Sequence, residues 1–530
     1  MATRADMSGD EELTPANKLA LTGRFIKTYW KIIFALIWAT MLIPLFVVNN
    51  TSETRCGYVI LVMAGYWISD CFPMAVTSLI PVVLFPAFGI LSTADTCACY
   101  MNDTIMVFIG GLILAVATEH SNLHLRIALG VMKTVGCTHA RLLGGVCAVT
   151  TFISMWVSNT AATAMMVPII FAILGELEQA GLSRVFEASE PDPERPESEP
   201  EQKPTKVTKA YLMASAYCST FGGTGTIVGT GTNLTFKGIY ENTFPDAPPI
   251  NFTQWMLASI PQMAVNSFFT WIHLRVTFLG FLRPRSKDAQ QASIGEEGQA
   301  ITNRVTNDST NGIRKDLRDS VPVICASILM FFIPRELSFL RSFSRDAAAR
   351  PEKSSEGLIT WEVIQRKMPW SLMFLLGGGF AISKGSVASG LARKVGEFLM
   401  PLRHLPPMLI LFFVSVFTET ITEFTSNVGI ANITLPVIAQ MCVAMEMHPL
   451  YLMYPAAIMC SYSFRLPVGT PPNAIITVVG RIPTKWLMFG GCAPAVYSVV
   501  VQMIFFVTWG VFIWEIDEFP DWAKHPETSN

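Results

Sequence analysis

Two stretches of the sequence, SMWVSNTAATAMMVP at residues 154–168 and TEFTSNVGIANITLP at residues 422–436, share a Ser-Asn pair that begins ten residues before a Pro. The second stretch lies 268 residues after the first, and the Gly-Gly pairs at 110–111 and 378–379 are separated by the same distance. A spacing shared over that distance indicates that one architecture occurs twice in the chain.

A second matched pair lies further along each half, GTGTN at residues 229–233 and GTPPN at residues 469–473. These two are 240 residues apart, and the difference of 28 residues is close to the length of a polar segment, 183–209, that only the first half contains. Clusters of Gly, Pro, Ser, Thr and Asn of this kind predict interrupted helices. Freed backbone groups at membrane depth are tolerated only where protein or a polar cavity satisfies them.

The composition places these interruptions in a membrane protein. The chain has 530 residues, of which 51% are hydrophobic and 15% are charged, whereas a soluble domain has about 25% charged residues. Apolar stretches at 32–48, 104–117, 321–334, 408–417 and 493–513 are typical of helices that cross a bilayer core of about 30 Å. The sequence therefore predicts an all-α polytopic membrane protein.

Net charge and cysteine content exclude other classes. A net charge of −2 gives no basic excess for a nucleic-acid backbone, so we expect no nucleic-acid partner. The 11 Cys are scattered without the spacing of a zinc site or a disulfide framework. We expect no cofactor, apart from sodium as a possible coupling ion.

Polarity divides the chain into seven segments. The predicted organisation is a cytoplasmic N-terminal segment (1–31), a first membrane half (32–182), a disordered polar loop (183–209), the end of the first half (210–282), a cytoplasmic polar loop (283–320), a second membrane half (321–515) and a C-terminal tail (516–530). The positive-inside rule places Lys27, Lys31 and the cluster Arg283, Arg285 and Lys287 in the cytoplasm. We expect no cleavable signal peptide, and the plasma membrane is the expected location.

Interrupted segments at matching positions of two halves are typical of the binding site of a secondary transporter. Helix N-termini present N–H donors and a positive dipole end to an anion, and freed carbonyls with Ser, Thr and Asn oxygens suit a small hard cation such as sodium.

The two Ser-Asn motifs, LPVGTPPNAI at residues 466–475 and NLTFKGIY at residues 233–240 resemble the divalent anion/sodium symporter family, in particular its INDY-type di- and tricarboxylate transporters of animals. The resemblance extends over nearly the whole chain. It implies a homodimer with two inverted repeats, about eleven transmembrane helices and two re-entrant helical hairpins whose tips are the Ser-Asn motifs. It also implies a scaffold domain and a transport domain that moves as an elevator.

The resemblance implies roles for individual residues. Substrate carboxylates would be bound by Ser158, Asn159, Thr160, Ser426, Asn427, Thr470 and Pro471. One sodium would lie near Ser154, Ser158, Asn159 and Gly229, and a second near Thr422, Thr425, Asn427 and Gly469. The second motif has Val428 at the place of Thr160, which removes one hydroxyl from the predicted carboxylate site.

Charged residues near the second motif allow alternatives. Arg465 could bind a further carboxylate, since an ionisable residue inside a membrane is a functional hypothesis by default, or it could lie at a helix end and reach water. Glu423 could couple transport to protons, or could simply lie at a helix end or in a water-lined crevice.

The favoured function is secondary transport of succinate, citrate and related anions, coupled to a cation. The alternatives are a sodium-independent carboxylate exchanger, a sulfate transporter and an anion channel. An enzyme is not expected, because no nucleophile–base pair or metal cluster is present in the sequence.

Overall fold

A computed structural model describes residues 15–69, 71–120, 138–179, 184–188, 202–280, 320–332, 357–368, 370–399, 404–516 and 518–523. This part of the chain is almost entirely helical. The helices of the first half are α1 Pro15–Val48, α2 Ser52–Ser69, α3 Met74–Thr77, α4 Ile80–Ala87, α5 Thr93–Ala98, α6 Asp103–His120, α7 His139–Ser154, α8 Asn159–Gln179, α9 Lys206–Gly222, α10 Gly231–Thr243 and α11 Phe252–Thr277. The helices of the second half are α12 Ser320–Phe332, α13 Trp361–Lys367, α14 Ser371–Ala388, α15 Leu391–Leu399, α16 Pro407–Thr422, α17 Asn427–Ala444, α18 Pro449–Cys460, α19 Pro471–Val479, α20 Thr484–Phe505 and α21 Val511–Trp514. A π-helical turn, Phe506–Gly510, joins the last two of these helices.

Several of these helices can cross a bilayer. By length and composition, five spans qualify within the described ranges: Arg24–Val48, Asn159–Gln179, Ser371–Ala388, Asn427–Ala444 and Thr484–Trp514. The five apolar stretches read from the sequence lie in helices wherever the structure describes them. The prediction of a helical membrane protein is therefore confirmed, while the count of about eleven transmembrane helices stays a prediction.

The structure describes two of the predicted polar segments only in part. Within the predicted cytoplasmic segment 1–31, the first helix begins at Pro15, because Pro is well placed in the first turn of a helix and the residues that follow are good helix formers. The predicted polar loop 283–320, apart from Ser320, lies outside the described residues, as do residues 1–14 and 524–530.

The predicted disordered loop 183–209 is ordered at both ends. Strand β1, Phe186–Ala188, pairs antiparallel with strand β2, Gln202–Pro204. Thr205 then caps α9, its hydroxyl accepting a hydrogen bond from the backbone N–H of Thr208 at 3.2 Å. Val185 is buried, and this short apolar anchor explains why the ends pack although the composition between them is polar.

Helix packing separates two groups. Helices α2, α3 and α4 pack against α14 and α15, and α6 packs against α12. The second group contains α7, which contacts α8, α9 and α11, and α18, which contacts α16 and α17. Helix α14 also contacts α10 and α17, and α15 contacts α17, so α14 and α15 lie where the two groups meet.

An aromatic cluster links the two halves at their interrupted segments. Phe221, at the end of α9, lies with its ring centroid 4.9 Å from those of both Tyr462 and Phe464, which follow α18. All three side chains are fully buried. Truncating a buried Phe costs roughly 3–5 kcal/mol, so this cluster holds the two segments together firmly.

Candidate functional site

The first Ser-Asn motif forms the tip between two antiparallel helices. Helix α7 ends at Ser154 and α8 begins at Asn159. The Ser154 hydroxyl lies 2.9 Å from Oδ1 of Asn159 and 2.7 Å from the carbonyl oxygen of Ser219 on α9. Ser154 therefore ties the tip to the helix that leads into the first interrupted segment.

The second motif repeats this arrangement. Helix α16 ends at Thr422 and α17 begins at Asn427. The Thr422 hydroxyl lies 2.8 Å from Oδ1 of Asn427 and 2.7 Å from the carbonyl oxygen of Cys460, the last residue of α18. Asn427 Nδ2 donates to the carbonyl oxygen of Ser461 at 3.2 Å. The structure thus brings together Ser154 with Asn159 and Thr422 with Asn427, which are members of the two predicted sodium sites.

The interrupted segments, residues 223–230 between α9 and α10 and residues 461–470 between α18 and α19, are also built alike. Asn233 Nδ2 donates to the carbonyl oxygens of Gly223 at 3.0 Å and Thr226 at 2.7 Å. Asn473 Nδ2 donates to those of Ser463 at 3.2 Å and Leu466 at 3.1 Å. Every partner in the second set lies 240 residues after its counterpart in the first.

These two Asn residues were missing from the predicted site. Both are fully buried, and Oδ1 of each has no hydrogen-bond partner. Their place at the end of the repeated GTGTN and GTPPN sequences was the signal that could have identified them. A buried oxygen without a partner at the same position of both halves fits an environment that holds a small cation or water.

Glycines allow the chain to approach itself closely at the first interrupted segment. A Cβ atom on Gly223 would collide with the carboxamide of Asn159, and one on Gly229 would collide with the carbonyl oxygen of Gly223. At the second segment, a Cβ on Gly469 would lie 2.8 Å from the carbonyl oxygen of Glu423 and would collide with the Ser463 hydroxyl. Both predicted cation sites therefore require Gly at this position.

The remaining predicted residues lie around these tips with different exposure. Ser158, Thr160 and Pro471 are exposed, whereas Thr425 and Thr470 are buried. The second tip contacts the start of α10: a Cβ on Gly231 would lie 2.8 Å from Cγ2 of Val428. The hydroxyls of Thr232 and Ser461 are hydrogen-bonded to each other. The two halves are therefore in direct contact at the site.

The two helices that follow the interrupted segments start differently. Helix α10 starts with Gly231 and Thr232, whose backbone N–H groups can donate, whereas α19 starts with Pro471 and Pro472. Because Pro has no N–H, the second helix presents two fewer donors at its N-terminus.

Glu423 binds the backbone of the second interrupted segment through its carboxylate. It is buried, and its carboxylate accepts hydrogen bonds from the backbone N–H groups of residues 464–466 at 2.8–3.1 Å. Oε2 also accepts from the Ser463 hydroxyl at 3.0 Å. An interrupted segment leaves N–H groups without helical acceptors. The Glu423 carboxylate provides the missing acceptor for three of these N–H groups. Glu423 does lie at a helix end, directly after α16, which was one of the two sequence-based alternatives. Its hydrogen bonds to the interrupted segment were not predicted.

Arg465 pairs with two carboxylates. Its Nη2 lies 3.0 and 2.9 Å from the two oxygens of Glu419, and its Nε lies 3.1 Å from Oε1 of Glu423. The Arg465 side chain is 28% exposed, against 5% for Glu419 and 2% for Glu423. Arg465 lies in a non-helical segment, and its charge is paired within the protein. Its contact with a further substrate carboxylate stays a prediction.

This charged cluster belongs to the second half alone. At the matching positions the first half has Thr151, Met155 and Gly225 in place of Glu419, Glu423 and Arg465. A Cβ on Gly225 would lie 3.0 Å from Cγ of Met155, so this region of the first half is apolar. The three charges of the cluster sum to −1, which favours a cation beside the second interrupted segment.

The groups at the two tips can bind both a cation and an anion. Neutral hydroxyl, carboxamide and backbone oxygens are the ligands that a hard cation accepts, and hydroxyl, amide and backbone N–H groups can donate to carboxylates.

Comparison with known proteins identifies the kind of protein to which this site belongs. A family model described as "Citrate transporter" matches residues 58–457. "Protein I'm not dead yet" of Drosophila melanogaster is 38% identical, over 94% of this chain and 92% of that protein. The chain belongs to the divalent anion/sodium symporter family. It is thus a multi-pass membrane protein of a di- and tricarboxylate transporter family, not an enzyme.

Two mouse relatives within this family have similar coverage. "Na(+)/dicarboxylate cotransporter 3" is 33% identical over 96% of this chain and 96% of its own length. "Na(+)/citrate cotransporter" is 32% identical over 93% of this chain and 97% of its own length. Among solved structures, the Alcanivorax borkumensis YdaH transporter has a TM-score of 0.48 and 13% sequence identity, covering 79% of this chain and 86% of that chain.

Proposed function

We propose that this protein is a sodium-coupled cotransporter of di- and tricarboxylates such as succinate and citrate, located in the plasma membrane. The observation that carries the proposal is the repeated arrangement of Ser154 with Asn159 and of Thr422 with Asn427. Two oxygen-rich turns, each next to an interrupted helix, suit a divalent or trivalent anion that binds together with sodium. Relatives named for sodium cotransport of dicarboxylate and citrate support the same function.

Each predicted residue has a role in this proposal. Ser158, Asn159 and Thr160 at one tip, with Ser426, Asn427, Thr470 and Pro471 at the other, contact the substrate. The first sodium binds near Ser154, Ser158, Asn159 and Gly229, and the second near Thr422, Thr425, Asn427 and Gly469. Asn233 and Asn473 join this set, because their unpartnered oxygens lie in the same two segments. The negative cluster of Glu419, Glu423 and Arg465 strengthens the second cation site.

Movement follows from the packing of the two helix groups. We propose that the group containing both tips slides as a rigid unit against the group built around α2–α6 and α12, with α14 and α15 at the boundary, in an elevator movement within a homodimer. The two tips then belong to inverted repeats, and substrate remains between them during the movement.

A sodium-independent exchanger is the second candidate. Val428 favours it, because the second tip lacks the hydroxyl that Thr160 supplies at the first. Uptake of labelled citrate and succinate into proteoliposomes distinguishes the two functions. A cotransporter requires sodium outside and carries charge inward. An exchanger is indifferent to the replacement of sodium by choline and is accelerated by unlabelled substrate inside, and that result would contradict sodium coupling.

A further inference from the structure

An apolar groove of about 710 Å³ lies between α7 and α11. Its floor is made of small residues, Gly144, Ala148 and Ala264, and its walls carry the exposed aromatic rings of Phe152 and Phe268. Thr151 and Ser267 bridge the two helices beneath it through their hydroxyls at 2.9 Å. A narrow trough with small residues below and aromatic rings at the sides suits a single hydrocarbon chain.

One end of the groove is basic. Trp271 closes this end, its Nε1 donating to the carbonyl oxygen of Ala140 at 2.9 Å. The Arg275 guanidinium lies over the Trp271 ring, 4.6 Å from its centroid. Arg141 is exposed one turn before Gly144 on the same face of α7. Since the two helices run antiparallel here, Arg141 and Arg275 lie at the same end.

The other end of the groove reaches the first Ser-Asn tip. Its lining includes Met155 and Trp156, and the carbonyl oxygen of Met155 accepts a hydrogen bond from the Thr226 hydroxyl at 2.5 Å. From Gly144 to Met155 the helical rise gives a groove about 16 Å long. A chain of that length therefore touches the tip with its far end.

We propose that this groove binds one acyl chain of an anionic phospholipid from the cytoplasmic leaflet, with the lipid phosphate held by Arg141 and Arg275. The charge of the two arginines selects an anionic headgroup, and basic pockets between helices on the cytoplasmic side bind such lipids. The positive-inside rule assigns this end to the cytoplasm, since Arg275 ends α11 and a further basic cluster follows it in the sequence. The bound acyl chain packs against Met155 and Trp156 and thereby stabilises the first tip.

Native mass spectrometry of the full-length protein tests this directly and does not depend on transport. Purified protein is mixed with phosphatidylserine or phosphatidylcholine, and the lipid retained after activation is counted. We expect wild type to retain one phosphatidylserine more strongly than phosphatidylcholine. The double variant Arg141→Gln with Arg275→Gln loses this preference. Lys485→Gln, which removes an exposed basic residue outside the groove on α20, keeps it.

A groove-filling variant tests the apolar part. Ala264→Phe places a ring in the trough and should abolish retention of both lipids. Equal retention of phosphatidylserine by wild type and the double arginine variant would overturn the proposal, as would equal retention of the two lipids by wild type. If Ala264→Phe instead abolishes a dimer mass, the groove is a subunit interface and the lipid assignment is wrong. The arginine variants alter only the polar end of the groove, so they decide the question even if Ala264→Phe does not fold.

Discussion

Arg465 and Glu419 form a two-point contact in which one guanidinium nitrogen, Nη2, lies 3.0 and 2.9 Å from the two carboxylate oxygens. The contact joins the end of the first arm of the second hairpin to the interrupted segment, residues 461–470. It also explains how Arg465 is accommodated in an apolar region. Removing one partner from a buried pair costs roughly 3–5 kcal/mol, because the other charge stays buried without compensation.

This contact predicts a rescue by charge. Arg465→Met should abolish uptake, since it leaves Glu419 and Glu423 unpaired. Adding Glu419→Gln restores the cluster to its original charge of −1 and should restore uptake of citrate and succinate with an unchanged KM. The measurement is uptake normalised to surface expression. If the double variant expresses normally but has a raised KM for citrate, Arg465 contacts substrate instead.

The two Asn residues at the tips predict a loss of transport without a loss of protein. Asn159→Ala and Asn427→Ala each remove a ligand predicted for both substrate and sodium, and should reduce uptake by about tenfold or more. Asn242→Ala is the matched control, because the Asn242 side chain donates to the carbonyl oxygen of Gly238 one turn before it on α10, outside both tips. Uptake at the wild-type level in either tip variant would remove the site assignment.

We expect a substitution of Gly229 to be sterically harmful, and Gly175 provides the matched control. Gly229→Ala should abolish uptake and lower stability by roughly 1–3 kcal/mol, since its Cβ would collide with the carbonyl oxygen of Gly223. Gly175→Ala places a Cβ in open space on α8 and should leave both unchanged or raise stability slightly. Thermal unfolding and uptake measured together separate the two variants. Normal uptake in Gly229→Ala would show that the close approach is not needed.

Val428 predicts a change in sodium dependence. Val428→Thr keeps the shape that packs against Gly231 and restores the hydroxyl present at the first tip. We expect uptake to reach half its maximum at a lower sodium concentration. Val428→Ala has no hydroxyl and should not show this shift. A sodium titration identical for Val428→Thr and wild type would mean that the missing hydroxyl does not set coupling.

The positions of both tips could be predicted from the sequence because the same motifs occur in both halves of the chain. The two Ser-Asn motifs have the same spacing to a Pro, and in the structure both lie between two helices, with Asn159 bonded to Ser154 and Asn427 to Thr422. Gly229 and Gly469 occupy matching positions of the second repeated sequence, and both lie where a side chain cannot fit. The roles of these residues in binding stay predictions.

The sequence could not predict the charged cluster of Glu419, Glu423 and Arg465 that the second half alone contains. Arg465 lies more than 40 residues after Glu419 and Glu423 in the chain, and a charge near the membrane has several equally plausible environments until its partners are located. The strands at 186–188 and 202–204 were not predicted, because the segment as a whole is polar. Only a buried Val185 and the Thr205 helix cap accompany their pairing, and neither stands out in the composition.

The N-termini of α10 and α19 differ in the number of backbone N–H donors that they present. At the proposed site, a substrate between the tips would meet two N–H donors from Gly231 and Thr232 on one side and none from Pro471 and Pro472 on the other. The two ends of a symmetric molecule such as succinate are interchangeable, so either orientation would be equivalent. For a molecule with dissimilar ends, the more basic carboxylate would gain more by turning toward α10, and the site would thereby select one orientation of the substrate.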